Sequence, residues 1–141
     1  MKENRTHHYE IMCLLRQTAA ADLGAAVDHI RETLTRHGGE ILAMSKWDER
    51  RLAYEIEKQK RGAYILTYAT LPTASLAAIE RDFNLSEIVL RYILLRADHL
   101  TVEEMQATDA RQALADEIAL RAERQREREE AKAAEPAPAD A

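Results

Sequence analysis

Six basic side chains crowd one short stretch of the chain: Lys46, Arg50, Arg51, Lys58, Lys60 and Arg61. Residues of this type hold phosphate, lysine by charge alone and arginine also by a bidentate fork. Asp48, Glu49, Glu55 and Glu57 lie among them and leave an excess of two positive charges. That excess suits a phosphate-binding surface, and it suits a solvated hairpin equally well. Arg91 and Arg96, further along, extend the same candidate surface.

Other reactive residues offer less. His7 and His8 could be metal ligands, but neighbours in a strand point to opposite faces, and nothing completes a ligand set at the usual spacing. Cys13 reads as a small buried apolar residue rather than a nucleophile. As the single cysteine it excludes an internal disulfide. With four glycines in total there is no glycine-rich phosphate loop. Ser45, Ser75 and Ser86 lack a nucleophile-elbow context, and no two carboxylates share an apolar setting. These residues argue against an enzyme, a metal site or a cofactor. Trp47 could stack on a nucleobase, but a tryptophan beside a strand irregularity is read as packing on the local core.

The elements that must position these residues follow from periodicity. Residues 9–15 read as a short, nearly continuous apolar strand. Asp22 offers a helix cap, Leu23, Val27, Ile30 and Leu34 form one helical stripe, and Gly38-Gly39 ends it. Residues 40–56 read as a long second strand with an irregular centre near Trp47-Asp48-Glu49. Residues 57–62 read as a polar hairpin turn ending in glycine, and residues 63–71 as a third strand closed by Pro72. Thr73 can cap a second helix with the stripe Leu76, Ile79 and Phe83, and residues 88–96 form a fourth strand. The order βαββαβ predicts an α+β, ferredoxin-like fold: a four-stranded antiparallel sheet with two helices on one face. Residues 1–100 form that domain, and residues 101–141 a charged tail.

Alternation predicts a second apolar face. Tyr9, Ile11, Cys13 and Leu15 share one side of the first strand, as do Ile65, Thr67, Ala69 and Leu71 in the third and Leu90, Tyr92 and Leu94 in the fourth. The other side then carries Met12, Leu14, Tyr64, Leu66, Tyr68, Ile93 and Leu95. Two helices cover one face of a sheet, so these seven form an exposed contact surface for a partner. The competing reading has the tail helix folding back over them.

The tail opens with a capping box, Thr101 to Glu104, and retains weak apolar spacing through Met105, Leu114 and Ile118. Residues 121–132 are almost wholly Arg, Glu and Ala, a solvated helix, and residues 135–141 read as disordered. The net charge of −5 belongs to this tail: from residue 101 there are six basic and eleven acidic residues, against 14 of each before it. The overall acidity therefore says little about what the folded part binds. No apolar run suits a leader or a membrane span, so the expectation is a cytoplasmic protein without a membrane partner.

These pieces resemble protein six of the bacterial small ribosomal subunit. The resemblance rests on Tyr9-Glu10-Ile11-Met12, on Trp47-Asp48-Glu49-Arg50-Arg51-Leu52-Ala53-Tyr54-Glu55-Ile56, on Lys58 through Gly62-Ala63-Tyr64, and on Val89-Leu90-Arg91-Tyr92. It runs in unbroken order over about residues 8–98 and is most specific in the Arg-Arg-Leu-Ala-Tyr run. It implies the ferredoxin-like fold and a non-catalytic role in the ribosome. It further implies pairing with small-subunit protein eighteen and binding of the pair, among other small-subunit components, to the central domain of 16S ribosomal RNA. On the same terms Arg50, Arg51, Lys58 and Arg91 become candidate RNA contacts, joined by the neighbouring Lys60 and Arg61. Tyr64 and Leu66 become candidate partner contacts. Glu55 stands where the family commonly has proline, and Leu90 where it often has a second arginine. The tail lies beyond the resemblance.

Two other readings compete. In one, a self-associating ferredoxin-like module that senses a small molecule uses the apolar face to dimerise. In the other, an RNA-recognition module stacks bases on Tyr64 and Tyr68. The aliphatic remainder of that face and the missing Gly-Phe-aromatic signature argue against the last.

Overall fold

The computed structural model describes residues 5–134. The expected disorder of residues 135–141 lies outside the described residues. The described chain runs β1 (Thr6–Leu15), α1 (Gln17–Ala21), α2 (Leu23–Arg36), β2 (Glu40–Ile56), β3 (Gln59–Pro72), a 3-10 turn (Thr73–Ser75), α3 (Leu76–Leu85), β4 (Val89–Arg96), α4 (Val102–Ala107) and α5 (Arg111–Ala134). The strands form one antiparallel sheet in the order β2-β3-β1-β4. This is the ferredoxin-like arrangement, and α2 and α3 lie together on one face. Among the described residues no helix is long and apolar enough to cross a membrane.

The main core lies between that face and the helices. Tyr9, Ile11, Cys13 and Leu15 of β1 and Ile65, Ala69 and Leu71 of β3 are buried there against Leu23, Val27, Ile30 and Leu34 of α2 and Ile79 and Phe83 of α3. The Asp22 carboxylate accepts the Ala25 N–H at 3.3 Å, capping α2. At the other end Gly38 adopts φ 83°, with Gly39 N–H donating to Leu34 O at 2.9 Å and Gly38 N–H to Thr35 O at 3.0 Å. That pairing is a Schellman stop, and the left-handed residue in it favours glycine.

Four local readings are corrected. The turn occupies only Glu57 and Lys58, both at positive φ (46° and 68°), as a two-residue hairpin matched to the strand twist requires. The strands run on through the polar segment, and Gly62 lies inside β3. A Cβ at Gly62 would sit 2.4 Å from Leu14 Cδ1, so the glycine serves strand packing rather than the turn. Thr73 does not cap α3: its hydroxyl and N–H both donate to Arg5 O, at 3.2 and 2.9 Å, and a 3-10 turn intervenes. Finally, a bulge sets Leu15 against Val89 and Leu14 against Arg91. Val89 thereby takes the core position expected of Leu90.

The tail straps the sheet. Val102–Ala107 lies on the second face, where Met105 is fully buried with Ala43, Tyr68 and Ala97, flanked by Leu42, Leu66, Leu100 and Val102. Thr101 and Glu104 form the expected capping box at its start. The chain then rounds the outer edge of β2. Met44 N–H donates to the Asp109 carboxylate at 3.1 Å, and Ala110 N–H donates to Met44 O at 2.9 Å. An edge strand left open invites pairing with another chain, and here the tail covers the edge at Leu42–Met44. Beyond the edge, α5 lies on the helix side. Leu114 enters the main core, and Ile118 approaches α2 so closely that a Cβ on Gly24 would sit 3.0 Å from it. Lys46, Glu49, Glu117 and Arg121 link β2 to α5 by ion pairs, and Arg121 also donates to Ala20 O at 2.9 Å.

Candidate functional site

The strap divides the second face. Tyr68 is buried and Leu66 half-buried beneath α4 and its flanks, so these two do not offer the free surface that alternation predicted, while Leu14, itself buried, forms part of the lining of the part left open. The physical reason is that alternation reports which side a residue faces, not what a distant segment lays over it. Met12 and Tyr64 remain half-exposed, and Ile93 and Leu95 are 58% and 56% exposed. The open surface is therefore confined to the part of the face nearer β4 and the hairpin.

This open part has aromatic walls: alternation predicts Tyr64 there, while Trp47 is expected on the local core and Tyr54 is not singled out. A bulge between Lys46 and Asp48 lets Trp47 leave the ladder. Trp47 is half-exposed rather than packed in the core, with its ring edge-on to Tyr64 at 5.4 Å. The Arg50 guanidinium lies 4.8 Å from the Trp47 ring centre and 5.5 Å from that of Tyr64, in range for cation–π attraction. Tyr54 and Ile56, on the bulged arm of the hairpin, join Met12, Leu14, Tyr64, Arg91 and Ile93 around a shallow cavity of about 350 Å³. The available signal was an aromatic residue on a bulged arm, where the partner strand cannot cover it.

The basic residues are sorted by partners that lie far away in sequence. Among the four acidic neighbours, Asp48 lies 3.5 Å from Arg50, Glu55 3.9 Å from Lys60, Glu57 2.6 Å from Arg16, and Glu49 meets Lys46 and Arg121. Arg16 and Arg121 come from outside the hairpin, so two of its carboxylates are neutralised without using its own arginines. Glu49 illustrates the balance: partial desolvation would raise its carboxyl, but the hydrogen bonds and charges of Arg121 and Lys46 hold it below its ordinary value. Arg51, Lys58, Arg61 and Arg91 are left without an ion pair among the described residues. Arg51 and Arg61 stand directly opposite each other, a like-charge cross-strand pair that costs stability unless an anion bridges it.

The predicted basic residues do not form one surface. Arg50 and Arg91 lie on the open sheet face with the aromatics, across from Gly62 and Leu14. Arg51 and Arg61 lie on the helix side, where Arg61 lines a cavity of about 270 Å³ with Gln17, Ala20 and Arg121. Lys58 sits at the tip between them, and Arg96 is occupied by Asp98 at 3.0 Å.

The remaining reactive groups sit in structural roles. Burial pushes the Cys13 thiol up to about 12, so it is not a nucleophile at neutral pH. His8 Nδ1 is hydrogen-bonded to Thr70 Oγ1 at 2.9 Å. Among the described residues no group of three His, Cys, Asp or Glu side chains could hold a metal.

Comparison with known proteins agrees with this geometry. A family model described as Ribosomal protein S6 matches residues 8–96. Small ribosomal subunit protein bS6 of Fusobacterium nucleatum is 37% identical over 91 residues, 64% of this chain and 97% of that one. The bS6 protein of Protochlamydia amoebophila is 35% identical over 101 residues, 71% of this chain and 89% of that one. That of Campylobacter hominis is 33% identical over 93 residues, and the match spans 65% of this chain and 64% of that protein's length. The crystal structure of 30S ribosomal protein S6 from Thermotoga maritima superposes with a TM-score of 0.63 at 21% identity, covering 73% of this chain and 98% of that one. That likeness speaks for the fold.

Proposed function

This chain belongs to the ribosomal protein S6 family, and from that membership we propose that it is a structural component of the bacterial small ribosomal subunit, acting on the ribosome rather than as an enzyme. It binds the central domain of 16S ribosomal RNA together with small-subunit protein eighteen during assembly. The observation that carries the division of labour is the half-open sheet face. Exposed Ile93 and Leu95, with Met12, Tyr54 and Tyr64 around the same cavity as Ile93 and Trp47 against Tyr64, supply an apolar and aromatic surface for the protein partner. Aromatic and aliphatic side chains around a shallow pocket are the kind of anchor that dominates protein interfaces. The RNA contacts are the cations left unpaired: Arg51, Lys58 and Arg61 on the hairpin, and Arg91 at the rim of the apolar surface.

A gel shift against a 16S central-domain fragment tests this reading. The protein is assayed alone, with purified protein eighteen, and as Ile93→Asp plus Leu95→Asp with that partner. Both positions are more than half exposed, so the variant folds. The expected result is weak binding alone, tight binding with the partner, and a loss of tenfold or more in the double variant. Tight binding alone would instead favour base stacking on Trp47, Tyr54 and Tyr64. A second reading, self-association through the open β4 edge and its exposed Ile93 and Leu95, predicts a tight symmetric dimer in sedimentation.

A further inference from the structure

Helix α5 sorts most of its charges onto two separate sides. At 100° per residue, Arg121, Arg124, Arg128 and Lys132 fall within about 80° of one another. Asp116, Glu123, Glu127 and Glu130 fall within about 60° of one another, on an arc centred about 130° from the basic one; Glu117 falls inside the basic arc, paired with Arg121, and Arg126 and Glu129 fall between the two arcs. A helix that is merely solvated gains from opposite charges four residues apart. This one adds like-charge repeats, at Arg124 and Arg128, Arg128 and Lys132, and Glu123 and Glu127, beside the opposite pairs Glu117–Arg121 and Arg126–Glu130. Such repeats destabilise an isolated helix, and an external anion relieves the basic ones.

The direction of the stripe is fixed. Arg121, its first member, is anchored to Ala20 O, Glu49 and Glu117. It lines the same cavity as Arg61, the unpaired arginine of the hairpin's helix side. Arg124, Arg128 and Lys132 continue the line outward, are exposed, and make no ion pair among the described residues. From Arg121 to Lys132 the stripe is about 16 Å long at 1.5 Å per residue, enough to pass several phosphates of a nucleic-acid strand.

We propose that the basic stripe of α5 is a second RNA-binding element, a rail for the phosphate backbone of ribosomal RNA that continues the Arg51–Arg61 side of the hairpin. It lies away from the apolar partner face. The separate acidic stripe orients the helix, presenting one side to RNA and repelling it from the other. This inference rests on the ribosomal reading above and assigns its RNA contacts to the tail, which the matched residues 8–96 do not include.

The test uses the full-length chain with protein eighteen and the 16S central-domain fragment, titrated at several salt concentrations. Variant one carries Arg124→Gln, Arg128→Gln and Lys132→Gln. Variant two carries Glu123→Gln, Glu127→Gln and Glu130→Gln. Glutamine is a good helix former, so helix content by circular dichroism stays constant in both. Variant one is expected to lose roughly tenfold in affinity and to flatten the log–log salt slope by about two to three. Variant two is expected to change affinity less than threefold. Wild-type binding matched by variant one in affinity and slope overturns the rail and leaves the ribosomal reading standing. Equal and opposite shifts in the two variants also overturn it, because they report net charge alone. Absence of wild-type binding overturns both readings.

Discussion

The two sides of the sheet's second face have the same kind of sequence and opposite fates. Towards β2, Ala43, Tyr68 and Met105 are sealed from solvent by the chain's own tail. Towards β4, Ile93 and Leu95 stand in water, Ile93 around the same cavity as Tyr64. The two sheet edges divide the same way: Asp109 and Ala110 occupy the outer edge of β2, while β4 ends the sheet on the other side. Exposed apolar surface is therefore concentrated where a partner is proposed and removed where self-pairing would be a hazard. The lesson is that an apolar sheet face is a demand for cover, and the cover can come in part from the same chain.

The largest effect that would break this comparison is at Met105. Met105→Ala is expected to destabilise by about 3 kcal/mol, as for other fully buried methionines, whereas Ile93→Ala should change stability by less than about 0.5 kcal/mol. Urea unfolding of the two variants checks both values; equal effects would mean that α4 is not a seal in solution. Next, Asp109→Ala removes the acceptor for Met44 N–H and should cost about 1 kcal/mol. Hydrogen exchange at Met44 should accelerate while exchange at Tyr92 does not. Third and of opposite sign, Lys58→Gly relieves a left-handed residue at φ 68° and should stabilise by about 1 kcal/mol. The same variant should bind RNA more weakly, which separates the hairpin's folding role from its proposed contact. Thermal melting and the gel shift read the two effects independently.

The smallest effect separates the two sides by pH. On the β4 side, Ser86 Oγ accepts the N–H groups of Ile88 and Val89, each at 3.1 Å, so its own proton goes to His29 Nε2 at 2.8 Å. Burial, aided by Arg36 and opposed by Glu32 and Asp82, lowers the His29 pKa from 6.5. The neutral ring is thus favoured in the folded state. Its contribution is full above pH 6.5 and is lost as pH falls through the depressed folded value. On the β2 side, partial desolvation would raise the Asp109 carboxyl, but Arg111 and the Met44 N–H hold it below 3.8. That contribution is full above pH 3.8 and is lost only in stronger acid. Protection of the Ile88 and Val89 amides, measured against their intrinsic exchange rates, should therefore fall as pH drops below 6.5, with Met44 unaffected. His29→Gln should abolish that fall; simultaneous loosening of both sides would contradict the assignment.

Much of this molecule was legible in its sequence. The βαββαβ order, the cap at Asp22, the stop at Gly38, the bounds of β2, the irregularity near Trp47 and the capping box at Thr101 all arise from interactions within a few residues, where periodicity and backbone preference decide. The inward side of β1 and β3 followed from strict alternation. Tertiary structure alone decided which outward residues remain exposed, because Met105 reaches Tyr68 across 36 intervening residues from a segment with weak periodicity. It also decided which cations are free: Arg16 and Arg121 neutralise Glu57 and Glu49 across chain separations that no local pattern reports. Local chemistry thus determined the elements and their inward faces, while long-range packing and charge pairing determined which parts of the outer surface remain to bind anything.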